Sequence, residues 1–113
     1  MYKLQKINEL IRQELGKIIL KEEEFGPGAL VTLMAVETSE DLLHANIAVS
    51  VFPTEKAQVV LKKLTASVFN LQQLLNKKME MHPVPKIRFF LDDTESQSQE
   101  IDALLNKINR LER

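Results

Sequence analysis

A block of basic residues between positions 56 and 88 carries the strongest chemical signal in the chain. Seven lysines and arginines lie in this block against one acid, Glu80. Cationic side chains that share one surface bind the phosphates of a nucleic acid through charge, and no covalent bond is made or broken. The candidate phosphate-binding residues of the block are Lys62, Lys63, Lys77, Lys78, Lys86 and Arg88.

The amino-terminal segment extends this candidate surface. Residues 1–21 hold five basic and two acidic side chains, and Lys3 and Lys6 fall on one flank of an apolar helical stripe. The lysines could instead only solubilise exposed helix faces, which is a common role of lysine. The scarcity of acids in the block favours a nucleic-acid partner.

The formal net charge of -1 hides this local concentration of positive charge. Residues 22–55 carry seven acids and no lysine or arginine, and residues 89–113 have a net charge of -3. A nearly neutral chain therefore contains a block basic enough to meet phosphates, while its acidic parts could face away from the nucleic acid.

Other kinds of chemistry have little support in the sequence. The chain has no cysteine, which excludes disulfides and zinc-thiolate sites and fits a cytoplasmic protein. His44 and His82 are the only histidines, and the carboxylates of Asp92, Asp93 and Glu95 are explained more simply by helix capping than by a metal. We expect no catalysis, metal, cofactor or small-molecule substrate, and no membrane-spanning or secretory segment.

The apolar spacing predicts the elements that carry these residues. Three- and four-residue steps predict helices over residues 3–24 and 55–80, and alternation predicts strands over 29–37, 45–51 and 86–91. The turn-forming linker 38–41 predicts an antiparallel hairpin of the first two strands. A last helix, capped by residues 92–94, is predicted from the stripe Ile101, Leu104, Leu105, Ile108 and Leu111.

This order of elements predicts one α+β domain over residues 1–113, with helices on one face of a small sheet. A straight helix over 55–80 would be about 39 Å long, so we expect a kink within it. We expect Phe69, Phe89 and Phe90 to lie in the core, because aromatic side chains are scarce in this chain.

Two sequence runs resemble the ribosome-binding factor A family. The run from Val36 to Val51 is similar to the family's Val-Glu-x-Ser-x-Asp-Leu-x-x-Ala-x-Val-x-Val signature, and the run from Val84 to Thr94 is similar to its Val-Pro-Glu-Leu-x-Phe-x-x-Asp-x-Ser motif. The amino-terminal helix agrees through Ile7, Ile11 and Leu15. The resemblance covers about residues 6–106.

The resemblance implies a single type II KH-like domain of order α-β-β-α-kink-α-β plus a carboxy-terminal helix. It implies a non-catalytic monomer that binds the small ribosomal subunit and its 16S rRNA late in assembly, assists processing of the rRNA 5′ end and supports growth in the cold. The usual Gly-x-x-Gly loop of KH domains is absent from the chain. The family's Ala-x-Gly kink corresponds to Ser67, Val68 and Phe69 here.

Other positions also differ from the family, and these differences remove basic residues. Basic residues that are common after the kink are replaced by Gln72, Gln73, Met81 and His82. Fewer basic contacts predict RNA binding that is weaker or more sensitive to salt than in a typical member. The alternative function is a small protein-interaction module whose amphipathic helices pair with a partner helix.

Overall fold

The structure is a computed structural model that describes residues 3–21 and 28–92. The predicted carboxy-terminal helix and the predicted end of the first helix, residues 22–24, lie outside the described residues. The described elements, in chain order, are α1 (Lys3–Lys21), β1 (Leu30–Thr38), β2 (His44–Phe52), a 3₁₀ turn (Thr54–Lys56), α2 (Ala57–Ala66), α3 (Val68–Lys78) and β3 (Lys86–Leu91).

The first two strands form the predicted antiparallel hairpin. Their register runs from Leu30 opposite Phe52 to Thr38 opposite Ala45, with a bulge between positions 33 and 35. In the connecting turn, the Ser39 hydroxyl and the Leu43 N–H donate hydrogen bonds of 2.6 and 3.0 Å to Oδ1 of Asp41. These hydrogen bonds hold the pKa of Asp41 below its usual value.

The third strand joins the other side of β2 and runs parallel to it, so the sheet order is β1-β2-β3. A parallel neighbour requires a crossover connection, and α2 and α3 provide it. The pairing starts where the Lys86 N–H donates to the Leu43 carbonyl at 2.9 Å. It ends where the Asp92 N–H donates to the Val49 carbonyl at 2.6 Å.

The core lies between the helices and one face of the sheet, which confirms the predicted two-layer α+β class. The alternating residues of β2 that face the helices are buried, as are the apolar stripes of all three helices. The core includes Ile11, Leu15, Ala45, Ile47, Val49, Leu64, Leu71, Leu75, Ile87 and Phe89.

The predicted long helix is interrupted at Ser67, so the expected kink is confirmed. Ser67 has φ -95° and ψ 4°, a conformation open to any residue type, and its carbonyl accepts the Leu71 N–H at 2.9 Å. No glycine is needed for this break. The helical segment ends at Lys78 rather than near residue 80, because Met79 is extended and its side chain is buried.

Candidate RNA-binding surface

All eight candidate basic side chains are exposed in the structure. Three of them, Lys3, Lys6 and Lys78, converge on a groove of about 560 Å³ between α1 and the end of α3. We call it the lysine groove; it is lined by Lys3, Lys6, Ile7, Leu10, Glu14, Lys78, Met79, Glu80 and Met81.

A hydrogen bond from the sheet fixes the helix that carries two of these lysines. The Thr38 backbone N–H donates to Oδ1 of Asn8 at 2.9 Å, which ties the first turns of α1 to the end of β1. The other lysine, Lys78, closes α3, whose buried Leu75 anchors this helix end in the core. The lysine groove therefore depends on tertiary packing.

The charges around the lysine groove are mixed. Glu14 and Glu80 also line it, and Lys17 Nζ lies 3.7 Å from a Glu14 carboxylate oxygen. Farther along α1, hydrogen bonding from Arg12 lowers the pKa of Glu9, so this pair offers little free charge to a ligand. Positive charge is concentrated where α1 begins and α3 ends.

Two of the remaining candidates lie beside the helix break. Lys86 lines a groove of about 490 Å³ between α3 and β3. Phe69 and Gln73 also line this groove. Arg88 lines the adjacent cleft next to Phe90, and its guanidinium carbon is 5.7 Å from the centre of the Phe90 ring. That distance permits a cation–π interaction.

The other candidates are separate from these three grooves. Lys62 and Lys63 lie on the exposed side of α2, and Lys77 lies on the exposed side of α3. Lys56, the remaining lysine of the basic block, donates to the Gly28 carbonyl at 3.1 Å and has a structural role. The structure thus divides the candidates into residues that line a groove and residues that lie apart on exposed helix surfaces.

The expectation that the three phenylalanines are core residues was wrong for two of them. Phe89 is buried, whereas Phe69 is 75% exposed and Phe90 is 48% exposed. Phe90 alternates with Lys86 and Arg88 on the face of β3 away from the helices, and this alternation was visible in the sequence. Phe69 lies in the first turn of α3, directly after the break at Ser67, which falls within the kink positions implied by the family resemblance.

Gln72 has a structural role between α3 and β3. Its Nε2 donates to the Pro85 carbonyl at 3.1 Å, and its Oε1 accepts the Ile87 N–H at 2.9 Å. One side chain thus satisfies two backbone groups on the outer edge of β3. The neighbouring Gln73 is exposed and is free of this constraint.

The described residues show no arrangement for metal chemistry. Within residues 3–21 and 28–92, no three histidine or carboxylate side chains are grouped so that they could hold a metal ion. In the same ranges, no helix has both the length and the apolar character of a membrane span.

Comparison with solved structures shows the same fold. A crystal structure of ribosome-binding factor A from Thermus thermophilus aligns with a TM-score of 0.66 at 22% identity, covering 80% of this chain and 97% of that chain. A homology model of the Thermus thermophilus factor, fitted into the cryo-EM map of a complex with the 30S subunit, aligns with a TM-score of 0.57 at 23% identity, covering 72% and 86%.

Sequence relatives define the family. A ribosome-binding factor A of Akkermansia muciniphila is 31% identical over 105 residues, which cover 93% of this chain and 83% of the relative. One from Pelagibacter ubique is 32% identical over 108 residues, covering 93% and 88%. The family's sequence model matches residues 3–105. The chain therefore belongs to the ribosome-binding factor A family.

Proposed function

We propose that this protein is a non-catalytic maturation factor of the small ribosomal subunit that binds 16S rRNA through the lysine groove. The observation that carries the proposal is the convergence of Lys3, Lys6 and Lys78 in a chain whose net charge is only -1. Lysines that are grouped and exposed can neutralise neighbouring phosphates and release their counterions. A scattered solubilising set would not need this grouping.

The relatives support the identity of the RNA. Family members carry the name ribosome-binding factor, and the Thermus thermophilus member has been fitted into a map of a 30S complex. We infer that the present protein binds the same subunit late in its assembly, in the cytoplasm and as a monomer. Assistance to 5′-end processing and to growth in the cold belongs to this proposal.

The protein acts by occupying a site on the subunit. Lysine ammonium groups attract phosphates as point charges and do not impose the paired geometry of arginine, so this surface follows the shape of the RNA backbone rather than its sequence. The bound domain holds one local RNA conformation or excludes another until maturation is complete. This role needs no cofactor and no small-molecule substrate.

Charge reversal within the lysine groove tests the proposal. We expect Lys6→Glu combined with Lys78→Glu to weaken binding to free small subunits by about tenfold, since two phosphate contacts become repulsive. Co-sedimentation with purified subunits at several salt concentrations measures the effect. The matched control is Lys21→Glu with Lys62→Glu, which makes the same charge change outside the lysine groove. Equal binding by both variants and the parent protein would contradict a role of the lysine groove.

The rival function, a protein-interaction module, is tested in cell extracts. Our proposal requires the tagged protein to sediment with free small subunits and to be absent from full ribosomes. Nuclease treatment must then release it from that fraction. Binding that survives both nuclease and high salt would favour a protein partner instead.

A further inference from the structure

Four apolar side chains line the lysine groove, and phosphate binding gives them no role. Met79 is buried, Ile7 and Met81 are half-buried, and Leu10 is 40% exposed. A phosphate is stabilised by cations and hydrogen-bond donors and not by hydrocarbon walls. The groove volume of about 560 Å³ lies in the range of small-ligand sites, which combine apolar walls with a few polar groups. The groove therefore has the composition of a site for a flat ring as well as for a phosphate.

The cationic and apolar parts follow one another along α1. Ile7, Leu10 and Glu14 are separated by three and four residues, so they lie on one side of the helix. Between Lys6 and Glu14 the helix rises about 12 Å at 1.5 Å per residue. A nucleotide whose phosphate lies at Lys6 and Lys78 can therefore extend its base along the apolar wall towards Glu14.

Only an unpaired nucleotide can use this arrangement. In a double helix the bases are stacked on one another and paired, so their faces and Watson–Crick edges do not reach a protein groove. In a loop, a bulge or a strand end the base can turn out and pack on side chains. The polarisable sulfur of a methionine such as Met81 makes favourable contacts with an aromatic ring. The apolar wall therefore favours single-stranded RNA.

The carboxylate of Glu14 lines the groove beside this wall. Its side chain is 26% exposed, and Lys17 Nζ lies 3.7 Å from Oε1, which is longer than a hydrogen bond. Within residues 3–21 and 28–92, no hydrogen bond to this carboxylate forms. A carboxylate near bound phosphates weakens their binding by repulsion. Its presence in the groove is explained if it accepts hydrogen bonds from the base.

The hydrogen-bonding pattern of an ionised carboxylate selects guanine. A carboxylate has two acceptor oxygens and no donor. Guanine carries two adjacent donors on its Watson–Crick edge, the N1–H and the N2 amino group, so both oxygens can be engaged at once. Adenine and cytosine place an acceptor nitrogen beside their amino group, and uracil places its N–H between two carbonyl oxygens. Each of these three bases therefore sets an acceptor against the carboxylate.

We propose that the lysine groove binds one unpaired guanine of the RNA, with the ring against Leu10 and Met81 and the Watson–Crick edge donating to Glu14. Lys6 and Lys78 bind the phosphates on either side of this nucleotide. The inference rests on the proposed function, because it names the nucleotide that the RNA-binding groove prefers. The lysines contact phosphates alone, so the base preference comes from Glu14.

Binding of short RNAs to the full chain tests the preference. The probes are seven-nucleotide uridine RNAs that carry guanosine, inosine, adenosine or cytidine at the central position. Fluorescence anisotropy should show about tenfold tighter binding of the guanosine RNA than of the adenosine or cytidine RNA. Inosine lacks the N2 amino group and should give an intermediate affinity. Equal affinity for all four RNAs would overturn the proposal.

Two matched variants test the role of Glu14. Glu14→Gln should reduce the guanosine preference to less than about twofold, because an amide has only one acceptor oxygen. Glu80→Gln makes the same charge change in the same groove, and this variant should keep the preference. The all-uridine RNA should bind both variants at least as tightly as the parent protein, since no phosphate contact is lost. A preference that persists in Glu14→Gln, or that is lost equally in Glu80→Gln, would contradict the assignment.

Two exposed leucines of α1 test the apolar wall. Leu10 lines the groove, whereas Leu20 is 84% exposed and lies outside it. Leu10→Ala should weaken binding of the guanosine RNA about fivefold, because the base loses apolar contact. Leu20→Ala should leave the affinity unchanged. Equal affinities of the two variants would show that the base does not pack on this wall.

Failure of this proposal and failure of the proposed function give different results. Salt-dependent binding with no preference among the central bases would overturn guanine recognition and leave phosphate binding in place. Failure of every RNA probe to bind would also overturn guanine recognition and would favour a protein segment as the ligand of the groove. The proposed function itself is decided by co-sedimentation of the Lys6→Glu and Lys78→Glu double variant with small subunits.

Discussion

Phe69 occupies the position where the family resemblance implies a glycine, and the structure shows why this is tolerated. The helix breaks at Ser67 with ordinary backbone angles, so position 69 does not need to be a glycine. The Phe69 ring projects into solvent beside the groove that contains Lys86. An exposed aromatic next to a cation is a suitable platform for an unpaired base.

We therefore predict that Phe69→Ala weakens RNA binding without unfolding the protein. Loss of one stacked base costs about 1–3 kcal/mol of binding free energy. The free energy of unfolding should change by less than about 0.5 kcal/mol, because the side chain is on the surface. Binding to a single-stranded fragment of 16S rRNA and a urea titration measure the two quantities.

Phe89→Ala is the contrasting variant for this prediction. Its side chain is buried, and its removal should lower the free energy of unfolding by about 3–5 kcal/mol. Unchanged RNA affinity in Phe69→Ala would mean that the exposed ring makes no base contact. Phe89 on β3 is buried and Phe69 on α3 is exposed, so composition alone could not assign the phenylalanines.

At the scale of the elements, the sequence was sufficient for the helices within the described residues, for the three strands and for the hairpin. The stripe of α1 and the alternation of β2 each bury the residues that the periodicity selects, such as Ile11 and Ile47. The parallel pairing of β3 was not predicted, because strand order depends on contacts between residues far apart in the chain. The helix length alone predicted only that a bend exists, whereas the family resemblance placed the kink at residues 67–69, where the break at Ser67 is found.

The contact between α3 and β3 leads to a prediction about two adjacent glutamines. Gln73→Arg should tighten RNA binding about threefold by adding one phosphate contact near Lys86. Gln72→Arg adds the same charge but removes two hydrogen bonds to the edge of β3, so it should lower the free energy of unfolding by about 2 kcal/mol. Thermal unfolding and RNA titration of both variants separate the effects. Equal stability of the two proteins would show that the Gln72 contacts are dispensable.

At the scale of the whole molecule, the sequence located the basic block, and the fold decided which of its members can act together. Lys3 and Lys6 meet Lys78 because α1 and α3 pack side by side, a fact that no local pattern contains. Lys62 and Lys63 belong to the same block but lie apart on α2. Basic and acidic residues are separated along the chain, but only folding decides which basic residues share one surface.

We therefore predict that the salt dependence of RNA binding is set by the lysines and arginines that contact phosphates and not by the net charge of the chain. If about four to six lysines and arginines contact phosphates, the logarithm of the binding constant should fall with the logarithm of salt concentration with a slope of roughly -3 to -5. Glu37→Lys with Glu40→Lys raises the net charge from -1 to +3 on the hairpin of β1 and β2, outside the lysine groove. We expect the slope for this variant to equal that of the parent protein, because no new phosphate contact forms. Titrations at four or more salt concentrations give the slopes. A slope near zero in the parent protein would show that the basic block does not bind RNA, whereas a clearly steeper slope in the variant would show that the hairpin lies within reach of the phosphates.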